Sequence, residues 1–250
     1  MYDAEQVLWY IDHHLTAVIA AAAIACIGGV IQYGEGVRRG FKDKSHAIPL
    51  ATNMYIFAHD VTYVSMYSTW FGRDGHWFNR LFWVFILPFV ALEIVVFAQT
   101  LCYSREEMMP GLSTQKATTA LVGAQVGFFF LFWFLRSMGS DPLYVLSFTT
   151  TIIASNLFSI PMTLRRHSRR GQSVLLSIGL VCLSWGWSLV MVQLSPAFRS
   201  PAWIGALICN AFLAVVNLIV LLRFPAHGPA GVQPRASHSS ILRPVAAPPA

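Results

Sequence analysis

The sequence predicts an all-α fold, a polytopic membrane protein built as a bundle of seven transmembrane helices. The first observation is composition, since 56% of the 250 residues are hydrophobic and only 11% are charged. The second is that apolar runs of about 20 residues, long enough to cross a bilayer as helices, recur along the chain. The third is that basic residues concentrate in alternate loops. Together these features exclude a soluble globular domain.

The apolar runs give the elements in chain order. They form one predicted catalytic membrane domain over residues 1–224. The Pro/Ala-rich segment 225–250 predicts a disordered tail, because such a composition cannot build a packed core. The predicted spans are residues 13–33, 47–71, 80–102, 117–136, 142–164, 172–195 and 201–223.

Loop charges give the orientation of these spans. With the N-terminus outside, the inner segments hold 13 of the 17 Lys and Arg residues. Because positive residues favour the cytoplasmic side, this split predicts an external N-terminus and a cytoplasmic C-terminus, in a multi-pass protein of the cell membrane. The net charge of +6 is then a sign of topology and indicates no nucleic-acid partner. The outer segments keep Arg73, Arg80, Arg136 and Arg199.

Two acidic residues fall inside the predicted spans. Asp60 lies near the middle of the second span and Glu93 near the middle of the third, so the two share a depth in the membrane. A charged side chain at the bilayer centre costs about 2.5 to 3.5 kcal/mol on insertion scales, which makes an intramembrane acid a candidate functional residue. The alternative is a neutral carboxyl group that only links helices by hydrogen bonds.

Helical spacing predicts the surroundings of Asp60. Residues three, four and seven apart share a helix face, which places Asn53, Phe57, Tyr63 and Tyr67 on the face of Asp60. His59 is its chain neighbour.

The same spacing places Phe89 and Phe97 around Glu93 on the third span. Further aromatic residues come from the run FFFLFWF, residues 128–134, and from Trp185 in the sixth span. We expect an apolar pocket with aromatic walls and one or two carboxyl groups, although aromatic residues in membrane helices also commonly face lipid or pack between helices.

Such a pocket indicates a particular chemistry. Burial favours the protonated form of a carboxyl group. Aromatic faces attract a cation by roughly 0.5 to 2 kcal/mol each. A proton donor beside aromatic walls suits a reaction that protonates an alkene or an epoxide and proceeds through carbocations.

The segment AHDVTY, residues 58–63, carries a resemblance to a known family. It resembles the Ala-Trp-Glu-x-x-Tyr core on the second helix of the integral-membrane terpene cyclases of fungal meroterpenoid and indole-diterpene pathways. It is also similar to their actinobacterial relatives, which cyclise farnesylated indole compounds of the drimentine type. Asn53 upstream, the seven spans and the length near 250 residues match as well.

The resemblance implies that Asp60 is the proton donor of a terpene cyclase. It implies a prenyl chain, most simply farnesyl, on an indole or other aromatic head as the substrate. The sequence departs from the family at His59, where the fungal enzymes have Trp, and at Asp60, where they have Glu. Those enzymes also use an acid on the last helix, whereas the last span here has none. We therefore expect Glu93 as the partner of Asp60, with Asn217 as a hydrogen-bonding alternative.

Other functions are favoured less. A retinal protein needs a Lys in the last helix, and the chain has lysines only at loops or span ends, at Lys42, Lys44 and Lys116. No DDxxD or DxDD cluster occurs, so we expect a reaction that uses no metal and no other cofactor. The expected partners are the prenylated substrate and the lipid bilayer, with no obligate protein partner. A small-molecule or proton-coupled transporter remains the alternative, because two buried acids also suit a proton relay.

Overall fold

The computed structural model describes residues 2–73 and 75–225, and this part of the chain is helical throughout, without a strand. A 3₁₀ turn, Pro196–Arg199, joins the last two helices. The helices in chain order are α1 (Ala4–His13), α2 (Leu15–Asp43), α3 (Leu50–Ser65), α4 (Tyr67–Phe71), α5 (Trp77–Tyr103), α6 (Arg105–Met108), α7 (Thr114–Gly139), α8 (Val145–Arg166), α9 (Val174–Leu194) and α10 (Pro201–Leu222).

Six of the described helices are long and apolar enough to cross a membrane, and they correspond to six of the predicted spans. They are α2, α5, α7, α8, α9 and α10. The all-α membrane architecture is therefore confirmed. The boundaries shift most at the first span, because α2 continues to Asp43, ten residues beyond the predicted end at residue 33. A separate short helix, α1, precedes it.

The second predicted span, residues 47–71, is not one helix. It breaks at Met66 into α3 and α4, and the Met66 N–H bonds to the Tyr63 carbonyl, as in a tighter turn. The 16 residues of α3 rise about 24 Å, less than the roughly 30 Å of a bilayer core. The break matters for the site, since helical spacing no longer relates residues on its two sides.

The closest helix contact joins α2 and α9. A Cβ atom added at Gly28 would lie 2.6 Å from the Gly179 carbonyl oxygen, and one added at Gly179 would lie 2.7 Å from the Gln32 nitrogen. Only glycine fits such spacing, and small residues let membrane helices approach in this way. This Gly28–Gly179 contact holds α2 against the rest of the bundle.

Another buried acid, Asp141, has a structural role at the start of α8. Asp141 lies one residue before the predicted fifth span and is 3% exposed. Its carboxylate accepts hydrogen bonds from the Tyr2 hydroxyl at 2.6 Å and from the Ser147 backbone N–H at 2.7 Å. It thereby satisfies a free N–H of the first turn of α8 and fixes the N-terminal segment.

Helix α3 is packed between α5, α7 and α8, and it is the element that carries the site. Polar side chains fasten it on two sides. The Thr52 hydroxyl donates to the Ala154 carbonyl of α8 at 3.2 Å, and the Asn53 side-chain amide donates to the Glu93 carbonyl of α5 at 3.2 Å. The predicted tail, 225–250, lies outside the described residues except for Pro225.

Candidate active site

Asp60 and His59 form a buried hydrogen-bonded pair on α3. Asp60 is 2% exposed and His59 is fully buried. The His59 Nδ1 atom lies 2.6 Å from Asp60 Oδ1, while His59 Nε2 lies 3.4 Å from the carbonyl oxygen of Tyr144. The histidine therefore fixes one oxygen of the carboxyl group and is itself held by the start of α8.

Glu93 of α5 adjoins this pair. It is completely buried, and its Oε1 atom accepts a hydrogen bond from the Tyr33 hydroxyl of α2 at 3.3 Å. Its carboxyl group also neighbours that of Asp60. The structure thus brings together the two acids that the sequence placed at one depth.

The two neighbouring carboxyl groups constrain each other. Two carboxylates in contact and shielded from water would repel each other strongly. We call Asp60 and Glu93 the acid pair.

Asp60 faces a mostly apolar cavity between α2, α3, α5, α8 and α9. This acid cavity is narrow, with a volume of about 30 Å³. Aromatic rings from three helices form part of its wall. Its lining residues are Gly29, Gln32, Tyr33, Ile56, Asp60, Phe85, Ile86, Phe89, Phe148, Thr151, Ile152, Ser155 and Leu183.

A second cavity adjoins the first. This aromatic cavity has a volume of about 60 Å³ and shares Phe85, Phe148 and Leu183 with the acid cavity. Phe148 stands edge-on to Trp187, with ring centroids 4.6 Å apart. We call these two neighbouring cavities the joined cavities, and Asp60 is the one acid among their lining residues. The other lining residues of the aromatic cavity are Ala22, Ala25, Cys26, Phe78, Leu81, Phe82 and Trp187.

A third cavity lies between α3, α5 and α7. This rear cavity has a volume of about 160 Å³ and is lined by Glu93 and not by Asp60. Three residues predicted to surround the substrate therefore line a different cavity from Asp60, and these are Asn53, Phe57 and Phe97. The remaining lining residues are Ile94, Val122, Gln125 and Val126.

Five predicted site residues line none of the three cavities, namely His59, Tyr63, Tyr67, Trp185 and Asn217. Tyr63 is buried against Trp70, and its hydroxyl donates to the Asn79 carbonyl at 3.0 Å. Tyr67 is 54% exposed, because the break at Met66 turns it away from the face of Asp60. Trp185 is 51% exposed on the outer surface of α9, and its indole N–H donates to the Ala211 carbonyl.

Asn217 was the alternative partner for Asp60, and it lies elsewhere. It is buried on α10, a helix that contributes no residue to the acid cavity. Neither polar atom of its side chain has a hydrogen-bond partner among residues 2–73 and 75–225. The structure therefore favours Glu93 over Asn217 as the neighbour of Asp60.

Sequence reasoning missed much of the cavity wall. Tyr33, Phe85 and Phe148 line the joined cavities, yet they come from three different helices. The one signal was the excess of aromatic residues in the spans, which does not say which rings face inward. Within residues 2–73 and 75–225, no group of three His, Cys, Asp or Glu side chains is arranged to hold a metal ion.

Fold and site together define a class: a helical membrane protein in which a buried acid pair adjoins an aromatic cavity. Comparison with known families identifies this class. The family model of the Pyr4-like transmembrane terpene cyclases matches residues 10–178, more than half of the chain, and the protein belongs to that family. The match includes α2 to α8, and with them Asp60 and Glu93. Neither the curated proteins nor the solved structures gave a match.

Proposed function

We propose that this protein is a proton-initiated terpene cyclase in which Asp60 protonates a prenyl chain bound in the joined cavities. The observation that carries the proposal is the position of Asp60. It is the acid in the wall of an aromatic-lined cavity, and it contacts both a histidine and a second carboxyl group. Membership of a terpene cyclase family supports this reading of the geometry.

The first chemical step is a proton transfer. The π electrons of the distal alkene take the proton of the Asp60 carboxyl group, so an O–H bond breaks, a C–H bond forms and a tertiary cation results. With an epoxide, the proton goes to the ring oxygen and a C–O bond opens. Internal alkenes then attack in turn, and loss of a proton from the last cation ends the cascade. The overall reaction is an isomerisation and needs no oxidant or metal.

The cavity walls suit the later cations. Phe85, Phe89 and Phe148 line the acid cavity, and Phe82 and Trp187 continue the aromatic surface away from Asp60. Each ring face stabilises a nearby cation by roughly 0.5 to 2 kcal/mol. An apolar wall also excludes water, which would otherwise capture the cation.

We propose a farnesyl chain on an indole or other aromatic head as the substrate. The joined cavities extend from a proton donor at one end to the rings of Phe78 and Trp187 at the other. An elongated prenyl chain with its distal alkene at Asp60 would place an aromatic head toward these rings, where aromatic pairs form favourably.

The test is conversion of a panel of farnesylated indoles by the protein purified in detergent. Products are separated and identified by NMR, because an isomerisation leaves the mass unchanged. In Asp60→Asn the side chain keeps its size and loses its acidic proton, so we expect conversion to fall by about 10²- to 10⁴-fold while folded yield is retained. Activity within about threefold of wild type would remove Asp60 as the donor.

A transporter is the rival function, and the same panel separates the two. A carrier would bind such a compound and return it chemically unchanged. Wild-type protein that binds prenylated indoles and converts none of them, in detergent and in liposomes, would contradict the cyclase proposal.

We further propose that α3 and α4 together make the seventh crossing, with the N-terminus outside and the C-terminus in the cytoplasm of a cell-membrane protein. The charge split between loops supports this, as does the position of α3 inside the bundle. Reporters fused after Lys44 and at the C-terminus should report the cytoplasm, and one fused after Arg73 should report the outside. Signals from Lys44 and Arg73 on the same side would mean that α3 and α4 do not cross.

A further inference from the structure

The acid pair of Asp60 and Glu93 has a cavity on each side. Asp60 lines the acid cavity and not the rear cavity, whereas Glu93 lines the rear cavity and not the acid cavity. The two carboxyl groups contact each other across the plane between them. The pair is therefore a connection between two spaces that share no lining residue.

One oxygen of Glu93 lacks a hydrogen-bond partner. Its Oε1 atom accepts from the Tyr33 hydroxyl, but Oε2 has no partner among the described residues. The Asn53 side-chain oxygen, which lines the same rear cavity, has no partner in this part of the chain either. Buried polar atoms beside a cavity are normally satisfied by water.

The rear cavity also lies near the lipid-facing side of the bundle, so water would reach it from the end of the bundle and not past its exposed side chains. Three of its lining residues are about half exposed, at 54% for Ile94, 50% for Val122 and 49% for Val126. Val122 lies eight residues from the start of α7, a rise of about 12 Å. Only a short distance therefore separates this cavity from the end of the bundle that carries the basic loops.

A catalytic cycle that starts with proton loss from Asp60 needs that proton restored. The substrate occupies the acid cavity while the cascade runs, so water cannot reach Asp60 from that side. Glu93 is in contact with Asp60 and faces the other cavity. A proton passing from the Glu93 carboxyl group to the Asp60 carboxylate, followed by protonation of Glu93 from water, restores both groups.

We infer that Glu93 reloads Asp60 from water in the rear cavity and does not itself touch the substrate. The inference rests on the proposed cyclase function and assigns the two acids different tasks. In each turnover the O–H bond of Asp60 breaks at the alkene, and the O–H bond of Glu93 breaks to restore Asp60. Glu93 then takes a proton from hydronium in the rear cavity, and the final cation loses its proton to a water molecule, which becomes hydronium, so protons and charge balance.

The distinguishing experiment compares the first turnover with the steady state. Glu93→Gln keeps the size and the hydrogen-bonding shape of the side chain but carries no transferable acidic proton. We expect its single-turnover rate on a converted farnesylated indole to stay within about threefold of wild type. Its steady-state rate should fall by about 10²-fold or more, giving a burst of one product per protein. An equal fall in both rates, or no fall in either, would overturn the inference.

Filling the rear cavity gives a second measurement that leaves both acids in place. Val122→Phe should slow the steady state and spare the first turnover. The matched control is Leu131→Phe on the same helix, because Leu131 is 45% exposed and lines none of the three cavities. It should leave both rates unchanged. Equal behaviour of the two variants would count against water access through the rear cavity.

Chemical rescue separates proton transfer from a merely structural role. In Glu93→Ala, formic acid should fit the enlarged rear cavity and raise the steady-state rate at least tenfold, whereas formamide, equal in size and without an acidic proton, should not. Rescue by neither compound, with folded yield retained, would contradict the inference. Wild-type protein that cyclises nothing would overturn the proposed function itself, whereas active wild type without a burst in Glu93→Gln would overturn only the role of Glu93.

Discussion

His59 determines how the Asp60 carboxyl group is held. Its Nε2 atom faces the carbonyl oxygen of Tyr144 at 3.4 Å, and a carbonyl only accepts hydrogen bonds, so Nε2 is the donor there. Its Nδ1 atom lies 2.6 Å from Asp60 Oδ1. His59 thus fixes the orientation of the carboxyl group, and it stands where the fungal sequences that this chain resembles have Trp.

Among single residues, the buried acids Asp60 and Glu93 could be identified from the sequence. Asp60 and Glu93 stand out because a carboxyl group in an apolar span is costly, and a costly residue is retained where it has a task. Asp141 escaped notice because it lies just outside a predicted span, and the structure gives it a capping role. The free-energy cost of burial therefore identifies candidate acids, but it does not distinguish a catalytic acid from a structural one.

The cavity walls were less predictable, for a physical reason. Helical spacing correctly relates residues on one unbroken helix, but Tyr67 lies beyond the break at Met66. Trp185 and Phe148 are both aromatic, yet Trp185 faces outward and Phe148 lines the acid cavity. Which face of a helix points inward depends on its neighbours, and those contacts are absent from any local pattern.

Among the elements, α2 and α9 show what the apolar pattern predicted and what it could not. The apolar pattern predicted both helices and their approximate positions. It did not reveal that glycines bring their backbones together, because a single glycine in an apolar run has many explanations. The contact matters to the site, since Gly29, Gln32 and Tyr33 of α2 follow Gly28 and line the acid cavity, with Leu183 of α9 opposite.

A pair of glycine variants on α2 tests this contact. In Gly28→Ala the new Cβ would lie 2.6 Å from the Gly179 carbonyl oxygen, so α2 must move away from α9. Such overpacking costs about 1 to 3 kcal/mol, and we expect a lower melting temperature in detergent and a lower folded yield. Gly34→Ala is the control on the same helix, because a Cβ there meets nothing within 4 Å. It should be neutral or slightly stabilising. A Gly28→Ala protein as stable as Gly34→Ala would show that the helices are not in tight contact.

At the scale of the whole molecule, one end of the bundle is closed by a cluster that joins three loops. Arg166 at the end of α8 forms two hydrogen bonds to Glu107, at 3.0 and 3.2 Å, and donates to the His46 carbonyl oxygen at 2.9 Å. The His46 N–H in turn donates to the Ser104 hydroxyl at 2.9 Å. Burial acts to raise the pKa of Glu107, but Arg166 outweighs it and the pKa lies below its usual value. Arg166, a basic residue at a loop, therefore also links the loops at this end of the bundle.

This cluster makes stability depend on pH through His46. Burial, and then the nearby charge of Arg166, lower the pKa of His46 to about 3 from its ordinary 6.5. Arg165 and Arg170 act in the same direction, and Glu107 acts against them. Because the folded pKa is the lower one, the unfolded chain binds the proton more readily. The contribution of His46 to stability is full above pH 6.5 and is lost progressively as the pH falls toward 3.

We therefore expect the wild-type protein in detergent to lose about 2 kcal/mol of stability from this group between pH 7 and pH 5. That corresponds to roughly 4 to 8 °C in melting temperature. His46→Gln removes the titrating ring and should flatten this part of the pH profile, even if its stability at pH 7 is lower. His14→Gln is the control, because His14 is exposed and should leave the slope unchanged. A wild-type slope that persists in His46→Gln would mean that acid weakens the fold elsewhere, and that the closed end of the bundle does not respond to pH.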